Sequence, residues 1–248
     1  MFDRAGAVGP PHWWSRHARN RAERWIAEII DDIRAGNIDC APDSAAHRIA
    51  SYRDSQGQPL DAKIAAVELL NVLRPTVALS VYIVFLVHAL HVHPDYKPRL
   101  EQQDDQLAQA FVQEVRRFYP FFPAVPAIVR ESFEWKGMPF TAGTRVLLDL
   151  HGVNHDPRVW REPKLFMPER FLNWQESAYT FIPQGGGDHL RNHRCAGEWL
   201  TIALMKAALD FFVNGMSYTL PEQDLRIDRT RLPALPHSRL ILSDVRLL

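Results

Sequence analysis

The chain has 248 residues, 46% of them hydrophobic, enough to bury a core in one domain or two. Its 29 Lys and Arg balance its 29 Asp and Glu, so no net field draws it to nucleic acid or an anionic membrane. Only two cysteines are present, Cys40 and Cys195, which excludes a disulfide framework and points to a reducing, cytoplasmic setting.

The first residues, Met1 to Pro11, lack the charged-then-apolar pattern of a signal peptide. Ser15 to Ala35 reads as a helix with Ser15 as its cap. Trp25, Ile26, Ile29, Ile30 and Ile33 form one stripe on it, and Gly36 is its stop. Cys40 to Gly57 is a polar connector with room for a short helix. A long helix is expected from Asp61 to His91, capped by Asp61 and followed by Pro94. Its apolar run, Thr76 to Val87, is too short to span a bilayer and reads as buried core, so no membrane span is expected.

A further helix is expected from about Asp105 to Tyr119, with Leu107, Phe111, Val115 and Phe118 on one face and Pro120 beyond. The period then changes. Ile128 to Trp135, Lys136-Gly137 and Met138 to Phe140 predict a hairpin, and Arg145 to Leu150 a strand. His151 to Phe181 is proline-rich and irregular. A helix from about Ala196 to Phe212 and strands near Met216 to Leu220 and Leu240 to Leu242 complete the chain. The expected fold is mainly α with small β-sheets.

Chemistry concentrates around Cys195, in Phe181-Ile-Pro-Gln184-Gly185-Gly186-Gly187-Asp-His189-Leu-Arg-Asn-His193-Arg194-Cys195-Ala-Gly197. Three consecutive glycines permit backbone paths closed to other residues. Arg194 and the start of a following helix favour the thiolate. A thiolate so placed is a nucleophile or a metal ligand. Two other patterns stand out. Glu114-Val-Arg-Arg117 places an acid and a base three apart on a helix, in itself a commonplace pairing. Arg74-Pro75 sets a guanidinium at the point where proline removes a helical hydrogen bond. That combination suggests a local break presenting Arg74 for bidentate capture of a carboxylate.

Taken together, these motifs resemble the cytochrome P-450 superfamily, and within it the bacterial peroxygenases that oxidise fatty acids with hydrogen peroxide. The resemblance implies the C-terminal part of that fold and a haem b cofactor with Cys195 as its iron ligand. It implies that His193 contacts a haem propionate and that Gln184, Gly185 and Gly186 pack against the macrocycle. It implies that Arg170, in Pro168-Glu-Arg-Phe171, joins Glu114 and Arg117 in a buried triad that holds the cysteine loop. Arg74 and Pro75 stand where ordinary members carry an acid–alcohol pair, so Arg74 would anchor the substrate carboxylate. Phe121 and Phe122 would line the acyl channel. Fatty acid and hydrogen peroxide would be the partners, with hydroxylation or decarboxylation near the carboxylate and no obligatory reductase.

The resemblance starts near the middle of the family's usual polypeptide. Residues 1–248 would then form a partial haem-thiolate domain without the N-terminal region, and a fragment with weak or no haem binding is an alternative. A reductase-dependent monooxygenase is another. A third is a non-haem metal protein, since His88, His91 and His93 cluster, as do His189 and His193, though no third ligand or carboxylate is evident.

Overall fold

The computed structural model describes residues 9–192 and 194–248. It divides into two units between Ser80 and Val81, inside one long helix.

In the first unit, α1 (Pro10–Ala35) begins five residues before the expected cap, so Ser15 lies inside the helix. Pro10 explains the earlier start, because its fixed φ suits a first helical position. Gly36, at φ 77°, ends the helix as expected. Ile26 and Ile30 pack with Ala50, Ala65, Ala66 and Leu69. Trp25 faces outward instead of joining that stripe. The short helix α2 (Ala45–Ser51) is capped by Ser44, whose Oγ accepts from the His47 N–H at 3.2 Å. Arg34 ties α1 to the connector by donating to the carbonyls of Ala50 (3.0 Å) and Leu60 (2.9 Å).

Helix α3 (Ala62–Val92) is capped by Asp61, whose Oδ1 accepts from the N–H groups of Lys63 and Ile64. The helix continues through Pro75, where a break was expected. One lost hydrogen bond does not outweigh the helical bonds on either side. Nearby, the Thr76 hydroxyl donates to the Val72 carbonyl at 3.1 Å. The expected buried run is only half buried. Asn71 to Val77 are all exposed, whereas most of Val81 to Leu90 is covered. By length and composition alone, α3 is long and apolar enough to cross a membrane.

In the second unit, Tyr82 and Phe85 of α3 stack on Phe121 (centroids 4.5 Å apart) and Tyr119 (4.7 Å). A short turn of helix, α4 (Lys97–Leu100), leads to α5 (Asp105–Phe118). Asp104 caps α5, accepting from Gln106 and Leu107 at 2.9 and 3.1 Å. Leu107, Phe111 and Val115 form its buried face, as the spacing predicts, while Phe118 is half-buried.

Strand β1 (Ala124–Ile128) pairs antiparallel with β4 (Arg145–Asp149). The hairpin is shorter than expected. It comprises β2 (Phe133–Trp135) and β3 (Met138–Phe140), with Ile128 ending the preceding strand. Lys136 and Gly137 both have positive φ, which a two-residue hairpin turn of this hand requires. The irregular stretch contains α6 (Leu150–Asn154), capped by Asp149, and a 3₁₀ turn at Pro168–Phe171 that packs on α5.

Helix α7 (Glu198–Asp210) starts two residues later than expected and ends in a π-type turn, Phe211–Gly215. Strand β5 (Met216–Thr219) pairs with β8 (Ser243–Leu247). The expected strand at Leu240 is replaced by irregular chain in which Arg239 and Leu240 both have positive φ, and β8 begins at Ser243 with a further positive φ at Asp244 beside its register shift. A minimal pair, β6 (Ile227–Asp228) and β7 (Leu235–Pro236), lies between them in sequence.

Asp104→Ala removes both cap bonds of α5, so it should lower stability by about 1 kcal/mol. Urea unfolding measures this, and an unchanged midpoint would contradict the assigned cap.

Candidate functional site

Helix α5 presents Glu114, Arg116 and Arg117 to the interior, all essentially without exposed surface. Bare burial of such charges is prohibitive, so each must be paired and hydrogen-bonded. Arg117 makes a bidentate pair with Glu114, both contacts at 2.7 Å. Its remaining N–H groups donate to the carbonyls of Asn154 (2.9 Å), Pro163 (3.0 Å) and Leu165 (3.1 Å). Arg170 approaches from the 3₁₀ turn, its Nε 3.2 Å from Glu114 Oε2 in an ion-pair contact too poorly aligned for a hydrogen bond. The Met167 N–H also donates to Glu114, at 2.8 Å. The structure thus brings Glu114, Arg117 and Arg170 together.

The neighbouring residues of Pro168-Glu-Arg-Phe171 are also engaged. Glu169 accepts from Tyr96 (2.8 Å) and Arg99 (2.7 Å). Phe171 joins Trp160, Trp174 and Phe181 in an aromatic cluster. The Arg117 guanidinium lies 5.5 Å from the Trp160 ring centre and that of Arg116 lies 5.2 Å from Phe181, distances at which cation–π attraction contributes.

Asn154 carries this order to the cysteine loop. Its carbonyl binds Arg117, and its Oδ1 accepts from the Ile182 N–H at 2.9 Å. The loop then turns through Gly185 and Gly187 at φ 97° and 87°. A Cβ on Gly186 would stand 2.8 Å from the Ile182 side chain, so the loop closes only with glycine there. The Gly187 N–H donates to the Ala178 carbonyl at 2.7 Å. The Cys195 N–H donates to the Gln184 carbonyl at 3.0 Å, and the Cys195 carbonyl accepts from Glu198 at 3.2 Å. Cys195 is free and half-buried, one turn ahead of α7.

A second charged network was not legible in the motifs. Arg116 donates to Glu198, to Gln113 and, at 3.1 Å, to Gln184 Oε1. Glu198 also accepts from Arg194 (2.7 Å), and His189 Nε2 lies 2.9 Å from it. Arg194 reaches Glu176 as well. Arg194, next to Cys195 in the chain, thus gives its guanidinium to these two carboxylates. Burial acts to raise the Glu198 pKa, but Arg116, Arg194 and His189 outweigh it and hold the carboxyl below its ordinary value. Tyr82 is fully buried near Arg116 and Glu198, and burial pushes its pKa well up. The signal in the sequence was Glu198 beside the cysteine motif and a second arginine next to Arg117, a pair that spacing alone does not connect.

The other predicted residues fall as follows. Arg74 and Pro75 lie on exposed α3 in the first unit, and among the described residues Arg74 has no hydrogen bond or ion pair. Phe121 is buried against Tyr82, while Phe122 is largely exposed beside it. His193 lies outside the described residues. His88 commits its ring nitrogens to Tyr119 Oη (2.7 Å) and the Leu225 carbonyl (3.1 Å), and His93 stacks on Phe166. Among the described residues no group of three or more His, Cys, Asp and Glu could hold a metal by itself.

That donor set decides what Cys195 fits. A single soft thiolate suits an iron that brings its own ring nitrogens, as haem does, and does not suit a metal needing three protein donors. A cleft of about 320 Å³ opens between α5 and α7, lined by Asp104, Asp105, Lys206 and Leu209 among others, but neither Cys195 nor Arg74 lines it.

Comparison with known proteins agrees with this geometry. The family profile described as cytochrome P-450 matches residues 97–240. Cytochrome P-450 3A17 of Cavia porcellus is 27% identical over 219 residues, covering 79% of this chain and 41% of that protein. Among solved structures, cytochrome P-450SP alpha (CYP152B1) in complex with (R)-ibuprophen is 51% identical, with a TM-score of 0.89, and is matched over 100% of this chain and 60% of that one. Cytochrome P-450EX alpha (CYP152N1) with myristic acid is 44% identical, with a TM-score of 0.89, over 100% and 60%. A phenylalanine-to-alanine variant of cytochrome P-450 OleT in complex with arachidonic acid is 36% identical, with a TM-score of 0.88, over 99% and 58%. The chain therefore spans about three fifths of these solved chains.

Two outcomes test the site's electrostatics. Glu114→Ala strands the buried Arg117 beside Arg170, so it should cost about 3–5 kcal/mol, measured by urea unfolding or by loss of soluble protein. A variant of near-native stability would contradict the triad's weight. Burial, reinforced by His151 and Arg117, lowers the His155 pKa to about 4. The unfolded state then binds the extra proton first, so stability should be full above about pH 6.5 and fall as pH drops toward 4. His155→Phe should flatten unfolding midpoints over that window, and an unaltered slope would contradict the assignment.

Proposed function

Because this chain belongs to the cytochrome P-450 family, we propose that it forms part of a haem-thiolate domain that oxidises fatty acids with hydrogen peroxide. The carrying observation is Cys195, a free half-buried thiol in a glycine-closed loop ahead of α7. Solved relatives that contain myristic and arachidonic acid support the substrate class.

Cys195 Sγ would hold haem b, which when bound supplies the oxidising chemistry with peroxide, its reactivity tuned by the thiolate. The backbone of Gln184, Gly185 and Gly186 would stand against the macrocycle, and His193 would serve a propionate. The role of Glu114, Arg117 and Arg170 is architectural, acting through Asn154 on the start of the loop. Arg74 would hold the substrate carboxylate in a bidentate pair, which fixes the carbons next to it for attack. No acid–alcohol pair stands at Arg74-Pro75, so the bound carboxylate itself would move the peroxide proton. Peroxide already carries the two electrons that a reductase would otherwise deliver to dioxygen, so no reductase would be needed. Phe122, exposed where Phe121 is not, is the better channel-lining candidate. Two free cysteines accord with a cytoplasmic setting.

A second reading has its own observation. Asn71 to Val77, which include Arg74, are exposed, and an uncovered apolar helix favours weak haem retention or association with another surface. Haem uptake separates the two.

Product analysis with peroxide and a long-chain fatty acid tests the anchor. Arg74→Ala should reduce turnover roughly 10- to 100-fold, the value of a charged hydrogen-bonded pair. Turnover equal to the parent chain would rule out Arg74 as the anchor.

A further inference from the structure

We infer that Arg116 and Glu198 are positioning residues for Cys195, forming a brace of the cysteine loop separate from the Glu114–Arg117–Arg170 triad. The two braces start from adjacent residues of α5 and reach different parts of the loop. Arg117 acts through Asn154 on Ile182, thirteen positions before the cysteine. Arg116 acts on both flanks of the cysteine itself. On one flank it donates to Gln184 Oε1 at 3.1 Å, and the Gln184 carbonyl accepts the Cys195 N–H at 3.0 Å. On the other it binds Glu198, whose N–H donates to the Cys195 carbonyl at 3.2 Å. Glu198 further gathers Arg194 and His189, and His189 stacks on Trp199 with centroids 4.0 Å apart.

The arrangement has a charge logic. Arg116, Arg194 and Glu198 are all buried. Glu198 is the buried carboxylate that both guanidiniums share, with Glu176 engaging Arg194 at the surface. Fork-shaped guanidinium bonds fix orientation as well as distance. The backbone on either side of Cys195 is therefore held in one register, which sets the point from which the cysteine side chain leaves the loop.

The proposal rests on Cys195 as ligand only in its spectroscopic part, and two measurements on the purified chain keep the parts apart. The first is hydrogen–deuterium exchange of peptides covering Ile182 and Cys195, recorded with and without haem. In Arg116→Leu and in Glu198→Gln, the Cys195 amide should exchange about tenfold faster or more while the Ile182 amide stays within about twofold, the pattern of local opening. Equal acceleration at both positions would mean general destabilisation and would overturn the brace, as would an unchanged Cys195 amide. Should either single variant not fold, the charge-matched Arg116→Gln/Glu198→Gln chain is subject to the same criteria. The second is the ferrous–CO spectrum, in which the thiolate-type Soret fraction should fall by about half or more in either variant, as a displaced axial ligand requires. A parental spectrum together with an exposed Cys195 amide would leave the brace standing and reject its effect on ligation.

Discussion

The Glu114 carboxylate, locked between Arg117 and Arg170 with no exposed surface, is the constraint on which the second unit depends. An isolated carboxylate could not stay charged there, and neither could a lone guanidinium. Their pairing is tolerated because every remaining donor of Arg117 finds a carbonyl, at Asn154, Pro163 or Leu165. Those carbonyls belong to a segment with little regular structure. The buried charges thus order a stretch that hydrophobic periodicity does not, and residues 154 to 171 are held by polar contacts as much as by the aromatic cluster around Phe171.

The same helix places a second arginine one residue along, and that residue turns toward α7 and the cysteine loop. Two adjacent arginines on α5 therefore serve different parts of one site. The glycine loop accepts this because Gly185, Gly186 and Gly187 let its backbone pass where a Cβ would collide or a positive φ would strain. Buried pairs of this kind are weak evidence for net stability, since apolar replacements can be as stable. Their value lies in specifying one arrangement of the loop.

Much of this was readable before the structure. The long helices followed from apolar spacing and from Asp61, Gly36 and Pro94. The cysteine loop followed from its glycines and the residues around Cys195, whereas the grouping of Glu114, Arg117 and Arg170 came only with the family resemblance, since Glu-x-x-Arg by itself is a commonplace helix pairing. The misses have physical causes. Pro10 opens α1 before Ser15, because the fixed φ of proline suits a first helical position. Arg239, Leu240 and Asp244 adopt positive φ without glycine, which no composition reveals, and the last strand lies at Ser243–Leu247. Pro75 does not break α3, because one missing bond is small within a helix of 31 residues. The Arg116–Glu198 pair spans 82 positions, and only the fold could join them.

The central claim is that this ordered loop presents Cys195 as a thiolate ligand to haem iron. The ferrous–CO spectrum of the purified, haem-reconstituted chain tests it most directly. The account predicts a thiolate-type Soret band that Cys195→Ser abolishes while Cys40→Ser leaves it in place. A parental chain that takes up no haem, or a spectrum indifferent to Cys195→Ser, would contradict it.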